Sequence, residues 1–267
     1  MTGRLDGKVC VVVGAGQQPG PTIGNGRATS MRFAQEGARL LLVDRVGDAV
    51  ERTRNDVTAA NTTTEVATLT VDITADDAPD TIMRTAIETY GRLDVLHNNV
   101  GIGAGDAPPH RLADDVFDRI IDVNLRSLWR CCRAAIPQMR EQGAGVITNI
   151  SSIASVAANH IAAYRMSKAG VDALTRNLAV TNAKHGIRVN AILPGLIDTP
   201  LGVDSAAAAL GIDREVLAER RAATVPMGHQ GTAWDVANAA LFLASDEAAF
   251  VTGVCLPVDG GQSARVG

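Results

Sequence analysis

Tyr164 and Lys168 stand four residues apart in IAAYRMSK, and two serines, Ser151 and Ser152, precede them at the end of an apolar run. Helical spacing puts the phenol and the ammonium on one face, one turn apart. A free phenol titrates near about 10, too high for a good base at neutral pH. A neighbouring ammonium favours the phenolate and lowers that value. Acid–base transfer works best when the pKa lies near the operating pH. A serine hydroxyl at the same place would orient a substrate oxygen. A lone Y-x-x-x-K is also common on plain helix surfaces, so the surrounding elements decide between the two.

Those elements alternate. Residues 8–13 form a continuous apolar run of the kind found in a parallel strand covered on both faces. A polar, glycine-rich loop follows, and Gly24-Asn25-Gly26 leads into a helical pattern that stops at Gly37. Strand, glycine loop and helix make a dinucleotide pyrophosphate site, where backbone approaches the phosphates and the helix N-terminus attracts their charge. An ordinary tight turn is the competing reading. The next strand, 39–43, ends in Asp44, 18 residues after Gly26. An acid near that spacing binds the adenosine ribose hydroxyls and repels a 2′-phosphate, so NAD is favoured over NADP. Arg45 beside it argues the other way, and a solvated strand end or helix cap is the plainer reading of Asp44.

Further on the sequence predicts helices over 46–60, 75–90, 112–141 and 233–245, with a helix carrying Tyr164 that ends at Gly186. Strands are expected at 64–71, 93–96, 146–150, 187–193 and 255–258. This rhythm predicts one α/β domain over 1–267 with a doubly wound parallel sheet flanked by helices on both faces. Asn124 falls inside a helix, usually a surface position or a helix irregularity. Residues 201–230 break the rhythm and are a candidate substrate lid, with a packed helical excursion or an oligomer contact as alternatives.

The 267 residues carry a net charge of −4 without a basic cluster, so nucleic-acid binding has no electrostatic support. Cys10, Cys131, Cys132 and Cys255 show neither framework nor metal spacing, and the five histidines form no ligand pattern. Reduced thiols, no catalytic metal and a cytoplasmic location are expected. The start of the chain lacks a signal-peptide pattern, and no run is long enough to cross a membrane. The glycosylation sequons at Asn61 and Asn149 are read as chance.

Taken together, the glycine loop, Asp44, Asp72, the Asn98-Asn99-Val100-Gly101 turn, Asn124, the serine pair, Tyr164-x-x-x-Lys168 and Pro194-Gly195 with Thr199 resemble the compact branch of the short-chain dehydrogenase/reductase family over nearly the whole chain. The resemblance implies that Tyr164 is the general acid/base and that Lys168 lowers its pKa and holds the nicotinamide ribose. A serine would bind the substrate oxygen, and Asn124 would hold a water linking Lys168 to solvent. It also implies cofactor contacts from Gly14, Gly24, Gly26, Asp44, Arg45, Asp72, Ile73, Asn99, Gly101, Tyr164, Lys168, Pro194, Gly195, Ile197 and Thr199. Asp72 and Ile73 would flank the adenine, and Thr199 would hold the carboxamide. A homotetramer is implied as well.

Three departures stand out. Gly14 to Gly24 spans ten residues where the family pattern has four, so the loop is lengthened around Gln17 to Thr22 unless Gly16 and Gly20 share the role. Val100 replaces the usual alanine. Ser151 lies at the family's usual distance of thirteen residues before Tyr164, whereas Ser152 fits the strand-end position; Ser152 is the assignment adopted.

The expected activity is interconversion of a secondary alcohol and its ketone with NAD, favouring alcohol oxidation. A catalytically silent dinucleotide sensor or scaffold is the alternative. Val156, Ala157 and the residues around Leu196 suggest an apolar or alicyclic substrate. His160, one turn before Tyr164, fits a surface role better than a pocket role.

Overall fold

The computed structural model describes residues 3–60, 63–157 and 161–265. The sequons' Asn61 and the pocket candidate His160 therefore lie outside the described residues.

The first half alternates strand and helix: β1 (Val9–Val13), α1 (Asn25–Gln35), β2 (Arg39–Asp44), α2 (Gly47–Ala60), β3 (Val66–Thr70), α3 (Ala78–Tyr90) and β4 (Val95–Asn98). Then come α4 (Asp114–Ile121), a π-helical turn (Asp122–Arg126), α5 (Ser127–Gln142), β5 (Gly145–Ile150), α6 (Ala163–Asn182) and β6 (Ile187–Pro194). Every residue of β1 is buried. Successive side chains on a strand point to opposite faces. Cys10 and Val12 therefore pack in one core with Phe33 of α1, while Val11 and Val13 pack in the other with Ile82 of α3 and Met139 of α5. Complete burial of a side chain such as Phe33 contributes roughly 1.5–3 kcal/mol.

After β6 the chain continues through β7 (Ile197–Asp198), a π-helical turn (Pro200–Asp204), α7 (Ser205–Leu210), α8 (Arg214–Ala222), β8 (Gly231–Thr232), α9 (Ala233–Ala244) and β9 (Cys255–Val258). The seven main strands form one parallel sheet in the order β3-β2-β1-β4-β5-β6-β9. Strand order reverses between β1 and β4. In open α/β sheets that crevice, at the carboxyl ends of the strands, is where ligands bind.

Two expectations change in detail. The single helix over 112–141 is two helices joined by the π-helical turn, in which Asn124 is fully buried. Segment 201–230 is a helical excursion with its own small core of Val203, Ala207 and Leu217. Its two ends are stitched together by the short β7–β8 pair, Ile197 opposite Gly231 and Asp198 opposite Thr232.

Candidate active site

The glycine loop leaves β1 at Gly14, whose φ of +85° is a left-handed conformation that suits glycine. A side chain on Gly26 would overlap the Gly14 carbonyl, so α1 can start this close to the loop only with glycine there. Asn99 Nδ2 donates to that same carbonyl at 2.9 Å and ties the turn after β4 to the loop. The extra residues are closed by Gln17. Its Oε1 accepts the Gly24 N–H at 2.7 Å and its Nε2 donates to the Thr22 carbonyl at 3.3 Å. No side chain caps α1, and the buried Thr22 Oγ1 and Asn25 Oδ1 have no partner among the described residues. An uncapped helix start flanked by unpaired polar atoms suits a dinucleotide's phosphates.

Asp44 ends β2 with its carboxylate fixed by two backbone donors, Gly16 N–H at 2.9 Å and Val46 N–H at 3.0 Å. Its position on the loop side of the crevice fits a ribose. Arg45 is exposed. Asp72 Oδ1 accepts the backbone N–H and the hydroxyl of Thr74, at 2.9 and 2.7 Å; these bonds, the backbone one first, hold its carboxyl below the usual carboxylate range. Ile73 lines a small cavity with Val13, Asn98 and Val100.

α6 carries Tyr164 and Lys168 to the end of β5. Lys168 is buried, and its Nζ donates to the Ile150 carbonyl at 2.8 Å. Its Nζ sits 5.7 Å from the centre of the Tyr164 ring. A Cβ on Gly101 would lie 3.1 Å from that Nζ, so the turn after β4 closes directly over the lysine. Burial pulls the Lys168 ammonium down to about 8, against the attraction of Asp172. Burial also pushes the Tyr164 phenol up, opposed by its hydrogen bond with the Ser152 hydroxyl. Burial sets the net direction for the phenol, and Ser152 supplies the opposing interaction.

The two serines face different ways. Ser151 is buried and its hydroxyl donates to the Lys168 carbonyl at 3.1 Å. Ser152 turns toward the phenol and also accepts the Ala154 N–H at 3.1 Å. Asn124 pairs with both backbone groups of Ile102, each at 2.8 Å, and donates to Ser167 Oγ at 3.1 Å. Ser167 in turn donates to the Tyr164 carbonyl at 2.7 Å.

Beyond β6, Pro194 ends the strand, the Gly195 N–H bonds the Val258 carbonyl at 2.9 Å, and Ile197 is buried. Thr199 Oγ1 accepts the Gly202 N–H at 3.0 Å, leaving its own proton free to donate. These residues share the strand-end side of the sheet with Asp44 and Tyr164. The inserted loop reaches them as well. Gln18 Oε1 accepts the Ser205 hydroxyl at 2.7 Å, and a Cβ on Gly20 would come within 2.9 Å of Pro200.

Three participants escaped sequence reasoning: Gln17, Ser167 and Asp106. The Asp106 carboxylate accepts backbone N–H groups from Ala162, Ala163 and Tyr164 at 3.2, 3.1 and 2.7 Å. Its only sequence signal is an acid in a Gly/Pro-rich loop.

Comparison with known proteins agrees with this geometry. A family model described as enoyl-(acyl carrier protein) reductase matches residues 22–263. Levodione reductase of Leifsonia aquatica is 33% identical over 264 residues, covering 98% of this chain and 97% of its own. Cis-4-hydroxycyclohexanecarboxylate dehydrogenase of Sinomonas cyclohexanicum is 38% identical over 258 residues, covering 96% and 97%. Among solved structures, carveol dehydrogenase from Mycobacterium avium in complex with NAD superposes with a TM-score of 0.91 at 30% identity, covering 99% of this chain and all of that one. A Rossmann-type oxidoreductase is what fold and site define together. The chain belongs to the short-chain dehydrogenase/reductase family. It interconverts secondary alcohols and ketones, and the silent-sensor alternative falls away.

Proposed function

We propose that this chain is an NAD-dependent dehydrogenase of an apolar, alicyclic secondary alcohol, working as a cytoplasmic homotetramer. The observation that carries the reading is the convergence of the Ser152 hydroxyl, the Tyr164 phenol and the buried Lys168 ammonium at the end of β5. Ser152 holds the substrate oxygen against Tyr164. In alcohol oxidation the phenolate of Tyr164 takes the hydroxyl proton; in ketone reduction the phenol returns it. Lys168 supplies positive charge beside the phenol and a donor for the nicotinamide ribose. Asn124 holds the turn over Lys168, where a water relay to solvent would pass. When bound, the nicotinamide accepts or gives the hydride.

Asp44 supports NAD over NADP, because its carboxylate is pinned toward the cofactor crevice and opposes a 2′-phosphate. Gly14, Gly24, Gly26 and Asn99 shape the phosphate end, and Asp72 and Ile73 the adenine end. Gly101, Pro194, Gly195, Ile197 and Thr199 shape the nicotinamide end. The segment 200–230 closes over the substrate. A ring alcohol fits the small apolar residues Val156 and Ala157, and one relative's name specifies a hydroxycyclohexane ring. The family model's description names an enoyl reductase. Tyr164 and Lys168, four residues apart, fit carbonyl chemistry better, since enoyl reductases of this fold space the pair more widely.

The test is titration with NAD and NADP followed by turnover of cyclic secondary alcohols, on the wild type and Asp44→Ala. The wild type is expected to bind NAD selectively and form reduced nicotinamide. Asp44→Ala should lose about tenfold in NAD affinity, as for a lost charged hydrogen bond. Preference of the wild type for NADP would refute the cofactor assignment.

A further inference from the structure

We propose that Asp106 is a positioning residue for Tyr164, acting as a cap supplied to α6 from a distant loop; the proposal rests on the reading of Tyr164 as the acid/base.

The helix that bears Tyr164 and Lys168 begins, among the described residues, without a side-chain cap from its own N-cap position. Its N-cap residue is Ala162, and the alanine side chains of Ala162 and Ala163 have no acceptor to offer the first N–H groups. Those groups need partners, and an uncapped helix start frays. Asp106 supplies them from 56 to 58 residues away in sequence. Oδ1 accepts from Ala162 and Ala163, and Oδ2 accepts from Tyr164 itself at 2.7 Å, the shortest of the three. A carboxylate is the appropriate group: it is an acceptor at both oxygens, and its charge complements the positive end of the helix.

The loop that holds Asp106 is fixed at its other end to the same site. Asn124 grips both backbone groups of Ile102. Gly101 lies over the Lys168 Nζ, and a Cβ on Gly103 would stand 3.4 Å from the Tyr164 ring. Residues 101–106 thus form a strap. It starts on Lys168, passes the Tyr164 ring and ends on the Tyr164 backbone N–H. The backbone bond from Asp106 sets where the first turn of α6 lies, and so where the phenol stands relative to Ser152. Displacement of a reacting group by about 1 Å costs on the order of 10²-fold in rate, whereas cofactor contacts made by β1 and β2 are untouched.

The experiment compares wild type, Asp106→Ala, Asp106→Asn and Tyr164→Phe for NAD affinity, for kcat and KM on a cyclic alcohol, and for amide hydrogen exchange in the peptide spanning 161–168. Asp106→Ala is expected to lower kcat by about 10- to 100-fold. NAD affinity should stay within about twofold and exchange in that peptide should rise about tenfold or more. Asp106→Asn keeps one acceptor oxygen and should fall between wild type and alanine in both kcat and exchange; it also serves if the alanine variant does not fold. Unchanged exchange in the variants overturns the cap. Raised exchange with unchanged kcat overturns the positioning role. A fully active Tyr164→Phe overturns the site reading itself, and with it the catalytic meaning of the cap, whatever the exchange data show.

Discussion

His97 is fully buried on β4, and neither of its ring nitrogens has a hydrogen-bond partner among the described residues. The Phe33 ring packs against it in a T-shaped arrangement, with ring centres 6.0 Å apart. Burial alone pulls the imidazole down to about 4, from an ordinary value of 6.5. The folded protein therefore keeps His97 neutral where the unfolded chain has already taken up a proton. Its contribution to stability is fully present above pH 6.5 and is lost as pH falls toward 4. The shift corresponds to roughly 3 kcal/mol across that window. Urea denaturation at stepped pH should show wild-type stability falling through this range, and His97→Leu should flatten that part of the curve. An equal slope in both proteins would remove His97 from the acid response. At this same scale the serine pair shows what counting residues misses. Ser151 has the usual distance to Tyr164, but strand alternation turns it into the interior against α6, and the next residue is the one that faces the phenol.

At the scale of elements, the strands were legible because β1, β2 and the middle of β6 are buried on both faces and read as unbroken apolar runs. The π-helical turn was not, because what holds Asn124 inward is a pair of bonds to Ile102, 22 residues away. Asp106 escaped for the same reason: local pattern carries no record of a cap from another loop. The lengthened glycine loop was visible as a spacing anomaly, but its closure by Gln17 was not. That closure makes a prediction. Gln17 immobilises Gly24 at the N-terminus of α1, and the loop tip leans on Pro200 and Ser205. Gln17→Ala frees the Gly24 N–H and loosens the phosphate end. The loss of one or two such bonds should weaken NAD by about 3- to 10-fold. Because the Gln17 side chain bonds only Thr22 and Gly24 of its own loop, kcat at saturating NAD should stay near wild type. Fluorescence titration with steady-state kinetics separates the two; a drop in kcat with unchanged affinity would place the loop's role at the substrate lid instead.

The whole molecule leaves an apolar surface across α4, α5 and α6. Ile121, Leu125, Arg126, Trp129 and Leu174 line an open groove of about 310 Å³. Trp129 is 42% exposed, with Arg133 stacked over its ring at 4.8 Å. On the same helices Met166 and Val180 are also exposed. Indole surface left in water is unfavourable, and contiguous apolar patches of this kind mark association sites. A second copy of the chain presenting the same face would bury both grooves at once, the self-complementary arrangement of a two-fold interface. The edge strand β9 offers a second face, so two such contacts give the proposed tetramer. Trp129→Glu tests the first of them. The new carboxylate lies beside Arg133, which favours an intact monomer fold, but it puts charge into the interface core. Sedimentation velocity should show a tetramer for the wild type and a smaller species for the variant, with unchanged circular dichroism. A variant that sediments with the wild type would show that this groove is not where the copies meet.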